Sequence, residues 1–379
     1  MASIHVCMVS GQPIPNLIPL KIAGLRPDKV INLVSPGMQT RAERLRKIAN
    51  EWGVVVEERP IVPYDLQAAR DTCLGVLADY ESDDVLLNVT GGTKLMALAA
   101  FEVFREEKKR IIYVDTEDER IQVLSPGQAT IPFESVIKVR SYLAAYGQTI
   151  TSHRTNPGKA QGNRQITRAF IQNIGEYSWA ISILNGYAAP HRKTRTFPLQ
   201  VAVDERPREV PELREILFLL EEKEVIGFQD DKIVFPDLAT VEFLSGGWLE
   251  EYVFDVASSI PHSDVKMGVT VEWAHGGSRP TVNEYDVIFT YNNRLYLIEC
   301  KTRRFSGADR EDINSDIIYK LESLRDAAGG LYGKGMLVSY QKLTDAQKKR
   351  LAVNGLEYCD RNDLKNLKVK LAGWTRPKT

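Results

Sequence analysis

Three carboxylates and a lysine lie in or beside the apolar runs of segment 283–302, NEYDVIFTYNNRLYLIECKT. They are Glu284, Asp286, Glu299 and Lys301. Carboxylate oxygens are the ligands that Mg²⁺ and Mn²⁺ prefer, and a lysine beside them can stabilise a negatively charged reacting group. These residue types therefore predict a site for divalent-metal chemistry.

A β-hairpin would bring these four side chains together. Both apolar runs are rich in β-branched and aromatic residues, and Asn292–Asn293 between them predicts a two-residue turn because Asn tolerates positive φ. With that turn, Asp286 lies opposite Glu299 and Glu284 lies opposite Lys301, and strand alternation places all four on one face. Opposed carboxylates about 5 Å apart repel each other, so the pair requires positive charge from Lys301 and from a cation.

A solvated hairpin face is the alternative to a metal site, because acid–lysine pairs on exposed strands are common and a lone D…E-x-K match recurs by chance. The apolar flanks argue against this alternative. VIF follows Asp286 and LYLI precedes Glu299, which is typical of a covered central strand. Since an acid at the end of a covered strand needs a partner, the pattern favours the metal site.

The composition of the whole chain excludes several classes of protein. With 379 residues, 43% hydrophobic and 26% charged, it is typical of a globular protein of two or three domains. The formal net charge of −1 gives no global signal for nucleic-acid binding. Four scattered cysteines disfavour a zinc knuckle or a disulfide framework and fit a reducing cytosol. Neither a signal peptide nor a membrane span is predicted, so we expect a cytoplasmic protein without a membrane partner.

Three sequence patterns predict domains at 1–145, 146–235 and 236–379. Region 1–145 alternates short apolar strands with amphipathic helices, which predicts a Rossmann-like α/β domain with a mainly parallel sheet. Region 146–235 predicts a mixed, largely helical connector that contains the helix PELREILFLLEEKEVIG. Region 236–379 predicts a helix, a strand, the hairpin, a helix and a strand, which form a second α/β module.

The start of the connector is basic. From Ser135 to Gly175 the chain has no Asp or Glu but six Lys and Arg residues, and TNPGKAQGNRQ within this span predicts a loop. A nucleic-acid contact and a solvated loop with a chance charge bias explain this composition equally well.

Three strands of region 1–145 end in small residues that suit a phosphate ligand. The ends are Val9-Ser10-Gly11, Val34-Ser35-Pro36-Gly37 and Val89-Thr90-Gly91-Gly92. Ligands of open parallel sheets bind beyond the carboxyl ends of the strands, and the third end leads into a helix whose N-terminal N–H groups would suit a phosphate. One such turn would favour a purely structural role, but three favour a polyanionic or nucleotide ligand. The absence of G-x-G-x-x-G and of a Walker A loop disfavours a dinucleotide cofactor and a P-loop.

Four blocks of the sequence resemble the cyclic-oligoadenylate-activated nucleases of type III CRISPR defence. These proteins join an N-terminal CARF domain to a C-terminal PD-(D/E)xK restriction-endonuclease-like domain. The blocks are VSGQPIPN, NVTGGTKLMALAAF, SGGWLEEYV and NEYDVIFTYNNRLYLIECKT. They cover both ends of the chain, whereas the connector matches only in length and position.

The resemblance implies a homodimer whose two CARF domains hold one cyclic tetra-adenylate on the two-fold axis as an allosteric activator. Carried onto this sequence, the residues that would meet the ring are Ser10, Gln12, Ser35, Met38, Thr90, Gly91, Gly92, Thr93, Lys94 and Met96. The ring size rests on the resemblance alone. Degradation of the ring by the CARF domain itself stays open.

The resemblance also implies that the hairpin is a nuclease site for Mn²⁺ or Mg²⁺. Asp286 and Glu299 would hold the metal together with the backbone carbonyl of Cys300, and Lys301 would orient or deprotonate the attacking water. Single-stranded RNA and DNA are the implied substrates, and the resemblance is compatible with nicking of duplex DNA.

Two further acids are implied by the same resemblance. The family places a glutamate on the first helix of the nuclease domain, which Glu250 matches, and its neighbour Glu251 is the alternative. Glu284 matches a recurrent acid that precedes the aspartate, with a less defined role.

Other classes of protein compete with this interpretation. A HEPN ribonuclease needs an Arg separated from a His by four to six residues, and no His of the chain has that spacing. A CARF-type regulator would bind nucleic acid without catalysis. PELREILFLLEEKEVIGFQDDKIVF could form its winged helix, but the complete D…E-x-K pattern disfavours an inert protein. An unregulated restriction or repair nuclease with a docking domain stays open, and activity without a nucleotide would favour it.

Overall fold

The computed structural model of the protein describes residues 2–154, 161–273, 280–302 and 310–376. Over these residues it is a mixed α/β protein with a seven-stranded, a three-stranded and a six-stranded sheet, which confirms the predicted fold class. None of its described helices is long and apolar enough to cross a membrane. Residues 155–160 of the predicted connector loop lie outside the described part, and 161–165 belong to a helix instead of a loop.

The N-terminal sheet has the strand order β3-β2-β1-β4-β5-β6-β7. Its strands are β1 (Ser3–Met8), β2 (Lys29–Val34), β3 (Val55–Pro60), β4 (Asp84–Asn88), β5 (Arg110–Asp115), β6 (Arg120–Ser125) and β7 (Ala129–Pro132). The helices of this region are α1 (Ile14–Leu17), α2 (Gln39–Glu51), α3 (Leu66–Asp79), α4 (Lys94–Glu106) and α5 (Val139–Ala145). Strands β1 to β5 are parallel, and β6 and β7 extend the sheet in antiparallel fashion.

The strand order places a ligand-binding crevice between β1 and β4. Strands β2 and β3 extend the sheet on one side of β1, and β4 and β5 extend it on the other. The carboxyl ends of β1 and β4 therefore meet at a topological switch point, where open α/β sheets bind their ligands. Ser10 follows β1 and Thr90 follows β4, so two of the three predicted strand ends lie side by side.

Both faces of the N-terminal sheet are buried, as parallel strands require. Val6 and Met8 pack in one core with α3 and α4. Cys7 and Val9 pack in a second core with α2 and α5, and this second core also contains Leu297 of the C-terminal sheet. The two ends of the chain thus share one continuous apolar core.

The middle of the chain has a winged-helix arrangement. Its elements are α6 (Gln161–Gln172), α7 (Ile174–Ala188), β9 (Leu199–Ala202), α8 (Arg206–Glu209), α9 (Pro211–Glu222), β10 (Gly227–Gln229) and β11 (Lys232–Phe235). The three strands form an antiparallel sheet in the order β10-β11-β9. Helices α8 and α9 form the helix-turn-helix part of the arrangement. The exposed side of α9 carries three glutamates, Glu215, Glu221 and Glu222, against one arginine, Arg214, and this negative balance disfavours contact with a nucleic-acid backbone.

The C-terminal sheet has the order β16-β15-β14-β13-β12-β8. The elements are α10 (Leu238–Glu242), α11 (Trp248–Ser258), β12 (Asp264–Trp273), β13 (Thr281–Tyr291), β14 (Arg294–Lys301), α12 (Arg310–Gly329), β15 (Gly333–Ser339), α13 (Asp345–Val353), β16 (Glu357–Cys359) and α14 (Leu367–Trp374). Strand β8 (Gln148–Arg154) falls in the predicted connector, yet it pairs with β12 as the edge strand of this sheet. The domain boundaries at 145 and 235 remain predictions.

Candidate active site and strand-end rim

The hairpin that carries the predicted acids forms in the predicted register. Asn292 and Asn293 make its two-residue turn with φ values of 45° and 60°. Paired positions run from Tyr291 with Arg294 at the turn to Val287 with Ile298. The paired positions end there. Asp286 and Glu299 are the next residues on the two strands, and the charge of Glu299 acts on Asp286.

Asp286 and Glu299 are held by different partners. The backbone N–H of Cys300 donates to Asp286 Oδ2 at 2.7 Å. Lys301 Nζ forms an ion pair with Glu299 Oε1 at 2.5 Å. Glu299 is only 6% exposed, and Asp286 is half-buried. The two carboxylates and the lysine therefore form a compact, poorly hydrated group.

Burial and mutual repulsion perturb the ionisation of this group. Burial, together with the charge of Glu299, raises the pKa of Asp286 to about 7, against the opposing effects of Lys301 and of the Cys300 N–H. Burial lowers the pKa of Lys301, but the charges of Glu299 and Asp286 outweigh this effect and raise the pKa above its ordinary value. Lys301 is thus held protonated, while Asp286 takes up a proton near neutral pH unless further positive charge is supplied.

The two carboxylates fit a divalent cation. Over the described residues, no group of three or more His, Cys, Asp and Glu side chains is arranged as a complete metal site. Mg²⁺ commonly needs only one or two carboxylates, because waters and substrate phosphates complete its shell. A single lysine leaves excess negative charge on Asp286 and Glu299, and a divalent cation between them would neutralise it.

Cys300 cannot contribute its sulfur to such a site. Its side chain alternates to the other face of β14, where it is packed in the apolar core with Ile298. Burial raises the pKa of the thiol well above its ordinary range, so the sulfur stays protonated. Its backbone carbonyl remains the predicted ligand.

Glu284 and Glu250 line a cleft of about 420 Å³ beside the hairpin. Glu284 is exposed and pairs with Thr270 of β12, so the predicted pairing with Lys301 lies beyond the paired part of the hairpin. It is still close enough for its charge to raise the pKa of Asp286, after the larger effects of burial and of Glu299. Glu250 lies in the first turn of α11 and forms an ion pair with Arg154.

Glu251 is distinguished from Glu250 by its surroundings. It is not among the residues that line the cleft. Burial raises its pKa to about 7, and the positive charge of Arg154 only partly opposes this effect. Glu250 lines the cleft and Glu251 does not, so Glu250 stays the predicted helix glutamate of the site.

Sequence reasoning missed Arg154, which ends β8 and lies in the same cleft. The stretch QTITSHR contained a strand signal, because Thr149, Ile150 and Thr151 are three consecutive β-branched residues. Nothing local in that stretch indicates that it joins a sheet formed more than 100 residues later.

The TGGTK turn is packed tightly against the end of β1. A Cβ on Gly91 would lie 2.2 Å from the carbonyl oxygen of Met8, so no larger residue fits there. Gly92 has a φ of +79°, and a Cβ on it would lie 2.9 Å from Met8 Sδ. Glycine is needed at both positions, and the close approach joins the two strand ends at the switch point. We call the predicted strand-end residues 9–12, 35–38 and 90–96 the rim.

The hydroxyls of the turn are used within the protein. Thr93 caps α4 by accepting the Met96 N–H at 3.3 Å, and its own hydroxyl donates to the Pro63 carbonyl at 2.5 Å. The Thr90 hydroxyl accepts the Val114 N–H at 2.8 Å. Lys94, the first residue of α4, is exposed. The groups that remain for an anion are therefore Lys94 and the positive N-terminal end of the helix.

Two buried asparagines support the rim and were not predicted. Asn88 Nδ2 donates to the Pro15 carbonyl at 3.0 Å, and Asn16 Nδ2 donates to the Met8 carbonyl at 3.0 Å. The sequence signal for the role of Asn88 was its position inside the apolar run DVLLNVT, because a polar residue buried in a strand needs hydrogen-bond partners.

Ser10 and Gln12 lie on the rim and connect it to the rest of the chain. The Gln12 N–H donates to Ser10 Oγ at 3.2 Å. Gln12 Oε1 accepts the Tyr146 hydroxyl at 2.9 Å and the Leu331 N–H at 3.3 Å. Gln12, a predicted contact of cyclic tetra-adenylate, therefore bonds directly to Tyr146, just before β8, and to Leu331, just before β15.

The other predicted ring contacts differ in exposure. Met38 is half-buried, and its sulfur accepts a hydrogen bond from Arg41 at 3.6 Å. Ser35 is 7% exposed. Met96 lies beneath Gly92 and is 1% exposed, so it supports the turn as a core residue and does not line the open surface of the rim. The reason is helical periodicity, which turns this position of α4 toward the sheet.

Two family models match the chain at the places where its two large sheets lie. The model of the Card1 CARF domain matches residues 4–142, and the model of the Card1-like endonuclease domain matches residues 237–377. Together the two ranges take in about three-quarters of the 379 residues. Among curated proteins, no sequence matches the chain.

Solved structures with a similar fold extend over the whole chain. Protein VC1899 from Vibrio cholerae has 26% sequence identity and a TM-score of 0.89, with 98% of this chain and 97% of that chain covered. Can2 from Sulfobacillus thermosulfidooxidans, solved in complex with cyclic tetra-adenylate, has 29% identity and a TM-score of 0.79, with 98% and 99% covered.

A third structure, a type III CRISPR defence DNA nuclease activated by cyclic oligoadenylate, has 16% identity and a TM-score of 0.61. This chain covers 53% of it, and at this identity the likeness shows the fold alone. The two family models and the sheets they coincide with agree on one assignment. The chain joins a CARF domain of the Card1 family at its N-terminal end to a Card1-like endonuclease domain at its C-terminal end.

Proposed function

We propose that this protein is a metal-dependent endonuclease of type III CRISPR defence that cyclic tetra-adenylate activates and that cleaves single-stranded RNA and DNA. One observation carries the proposal. Asp286 and Glu299 lie at one end of a hairpin whose Asn292–Asn293 turn, at the other end, is hydrogen-bonded to residues that follow the CARF sheet. A rigid β-hairpin thus links the candidate catalytic acids to the candidate nucleotide-binding domain.

The catalytic roles follow from the geometry of the acids. Asp286, Glu299 and the Cys300 carbonyl would hold Mg²⁺ or Mn²⁺. A metal there would supply polarisation of the scissile phosphate and a lower pKa for a water molecule. Lys301, kept protonated by its ion pair with Glu299, orients the water and stabilises the negative charge of the transition state. Glu250 and Glu284 line the cleft in which the substrate strand lies.

The rim binds the phosphates of the activator. The exposed Lys94 and the N-terminus of α4 supply positive charge, while Gly91 and Gly92 pack the turn against Met8 and so hold that N-terminus beside the end of β1. The cyclic tetra-adenylate bound to Can2, a relative of nearly equal length, supports this ring size for the present chain. Binding at the rim would act on the nuclease domain through contacts such as those of Gln12 with Tyr146 and Leu331.

An exposed apolar surface beside the rim supports a homodimer. Leu95 and Leu98 of α4 are 37% and 61% exposed, and Tyr64, in the loop that Thr93 bonds through Pro63, is 78% exposed. A second copy facing this surface would place two rims around one symmetric ring. Leu98→Glu should convert the dimer to a monomer in analytical ultracentrifugation, and a Leu98→Glu protein that stays dimeric would exclude this interface.

The decisive assay combines activator, metal and substrate. Labelled single-stranded RNA, single-stranded DNA and supercoiled plasmid are each incubated with the protein and Mn²⁺, with and without cyclic tetra-adenylate. Cleavage or nicking only with the ring is the expected result, and the gel ranks the substrates. Glu299→Gln protein is the matched control for contaminating nucleases.

Each other outcome of this assay has a definite meaning. Equal cleavage without the ring would show an unregulated nuclease with a docking domain. Ring binding without cleavage in Mn²⁺ or Mg²⁺ would show a ligand-responsive regulator. The amount of cyclic tetra-adenylate is measured by chromatography during the incubation. A decrease would show that the CARF domain degrades its activator.

A further inference from the structure

Arg154 reaches the candidate active site from outside the segment that carries the acids. It is the last residue of β8, and its guanidinium forms an ion pair with Glu250 on α11. The separation along the chain is 96 residues, and the two side chains meet because β8 pairs with β12 and α11 packs on β12. The Arg154 side chain is 34% exposed, which leaves part of the guanidinium open to the cleft.

The backbone of β12 is shaped to receive this side chain. Gly268 has a φ of +54°, and a Cβ on it would lie 2.3 Å from Arg154 Nε. The pairing of β12 with β8 shifts register between Met267 and Thr270, on either side of this glycine. The bulge and Gly268 together form a defined packing site for the Arg154 side chain.

Gly268 lies opposite Asp286, the proposed metal ligand, on the neighbouring strand. Met267 pairs with Val287 and Val269 pairs with Tyr285, so the position opposite Gly268 on β13 is Asp286. Neighbouring strands are about 4.8 Å apart. The positive charge of Arg154 also lowers the pKa of the Cys300 thiol, although burial outweighs it there.

The other charges of the cleft increase the need for this arginine. Glu242, Glu250 and Glu284 also line the cleft, and they would repel a polyanionic substrate. Arg192 lines the cleft as well. Its guanidinium donates to the hydroxyl of Ser245 at 2.6 Å and to the Ser245 carbonyl, and these bonds hold the backbone kink that precedes α11. Glu250 accepts from Nη2 of Arg154, and because a guanidinium has five N–H donors, a phosphate can bind Arg154 while Glu250 stays in place.

We propose that Arg154 binds a phosphate of the substrate strand beside the Asp286–Glu299 pair, and that Glu250 aligns its guanidinium for this contact. The inference rests on the proposed nuclease function. A guanidinium suits this role because its planar array of donors can hold two phosphate oxygens at once, whereas a lysine offers a point charge.

The test measures binding separately from cleavage. The affinity of activated protein for a fluorescent single-stranded DNA is measured by anisotropy in Ca²⁺ across a salt series. Arg154→Gln should weaken binding at least tenfold and reduce the slope of log affinity against log salt by about 0.7, the value expected for one lost phosphate contact. Arg154→Lys should keep the slope and recover part of the affinity. Arg46→Gln, which removes ion pairs with Glu43 and Glu58 in the N-terminal domain, is the control and should leave both unchanged.

A double variant distinguishes phosphate binding from mere support of Glu250. If Arg154 only positions Glu250, adding Arg154→Gln to Glu250→Gln changes neither affinity nor salt slope, and the proposal is wrong. If Arg154 contacts phosphate, the double variant binds DNA more weakly than Glu250→Gln does, and its affinity depends less steeply on salt. Single-turnover cleavage by the unmodified protein is recorded in parallel. Its absence would contradict the proposed function, whereas unchanged binding by Arg154→Gln would contradict this inference alone.

Discussion

Asn293, at the tip of the catalytic hairpin, accepts the backbone N–H of Val136 through its Oδ1 at 2.9 Å, although 157 positions separate the two residues. The same oxygen accepts the Ile137 N–H at 2.9 Å, and Asn293 Nδ2 donates to the Glu134 carbonyl at 2.8 Å. Asn293 is 1% exposed, so these bonds are shielded from water. The tip of the hairpin is thereby locked to the segment that leaves the CARF sheet.

Loss of this lock should uncouple the ring from the nuclease site. Asn293→Gly keeps the positive φ of the turn but removes all three side-chain bonds. We expect ring-stimulated cleavage to fall at least tenfold, while ring affinity measured by calorimetry stays within a factor of two. Asn293→Asp, which keeps the accepting oxygens, should retain more of the stimulation. Full stimulation in the glycine variant would show that the signal travels by another route.

Glu299 and Lys301 should be separable by their effects on metal binding. Glu299→Gln removes a proposed metal ligand, so both Mn²⁺ affinity and cleavage should be lost. Lys301→Ala should reduce cleavage by about 10²- to 10³-fold, the range for removal of a group that stabilises negative charge in the transition state, while Mn²⁺ affinity persists. Calorimetric titration with Mn²⁺ and single-turnover cleavage give the two readouts. Persistent cleavage by either variant would refute the site assignment, and unchanged ring binding by both would verify that they are folded.

The raised pKa of Asp286 should make the metal-free protein less stable as the pH rises. The folded protein binds the proton of this carboxyl more tightly than the unfolded chain does, because burial and Glu299 raise its pKa from 3.8 to about 7. The favourable contribution is therefore fully present below pH 3.8 and is lost as the pH rises toward 7. We expect Asp286→Asn to raise the free energy of unfolding at pH 8 in chelator, with the gain diminishing toward pH 4.

Metal should reverse this difference between the two proteins. Mn²⁺ at pH 8 should stabilise the unmodified protein and leave Asp286→Asn nearly unchanged, since a ligand that binds only the folded state shifts unfolding. Thermal unfolding at pH 4, 6 and 8, with and without Mn²⁺, measures both effects. A stability gain for Asp286→Asn that is the same at every pH would contradict the assignment of this carboxyl.

Lys94 should bind the ring mainly by charge. Lys94→Ala should weaken cyclic tetra-adenylate binding about tenfold at low salt and less at high salt, because exposed charges are screened. Thr93→Ala in addition should weaken it further, since it removes the cap and the Pro63 bond that shape the turn. Lys47→Ala on the exposed side of α2 is the control. Unchanged ring affinity in the double variant, with nuclease folding intact, would mean that the TGGTK turn does not hold a phosphate.

Local features of this protein could be predicted from the amino-acid sequence. The hairpin register followed from two tolerant asparagines and a period of two, and the alternation of strands and helices indicated both α/β regions. The Gly91–Gly92 pair was visible as a turn signal, but the residue that excludes a side chain there, Met8, lies more than 80 positions away in the sequence. For the hairpin and the alternating elements, the determining interactions lie within a few positions of one another.

Contacts between distant segments were decided only by the tertiary structure. Arg154 enters the site because β8 pairs with β12, Met96 is buried because α4 packs on the sheet, and Gln12 bonds to Tyr146 and Leu331 because two domains share a core. No local pattern encodes such pairings, since they depend on which buried surfaces meet once the elements have formed. The sequence by itself determined which residues could do the chemistry and where the chain turns. Which charges stand beside those residues was decided by folding, because only packing brings together groups that are 96 to 319 positions apart.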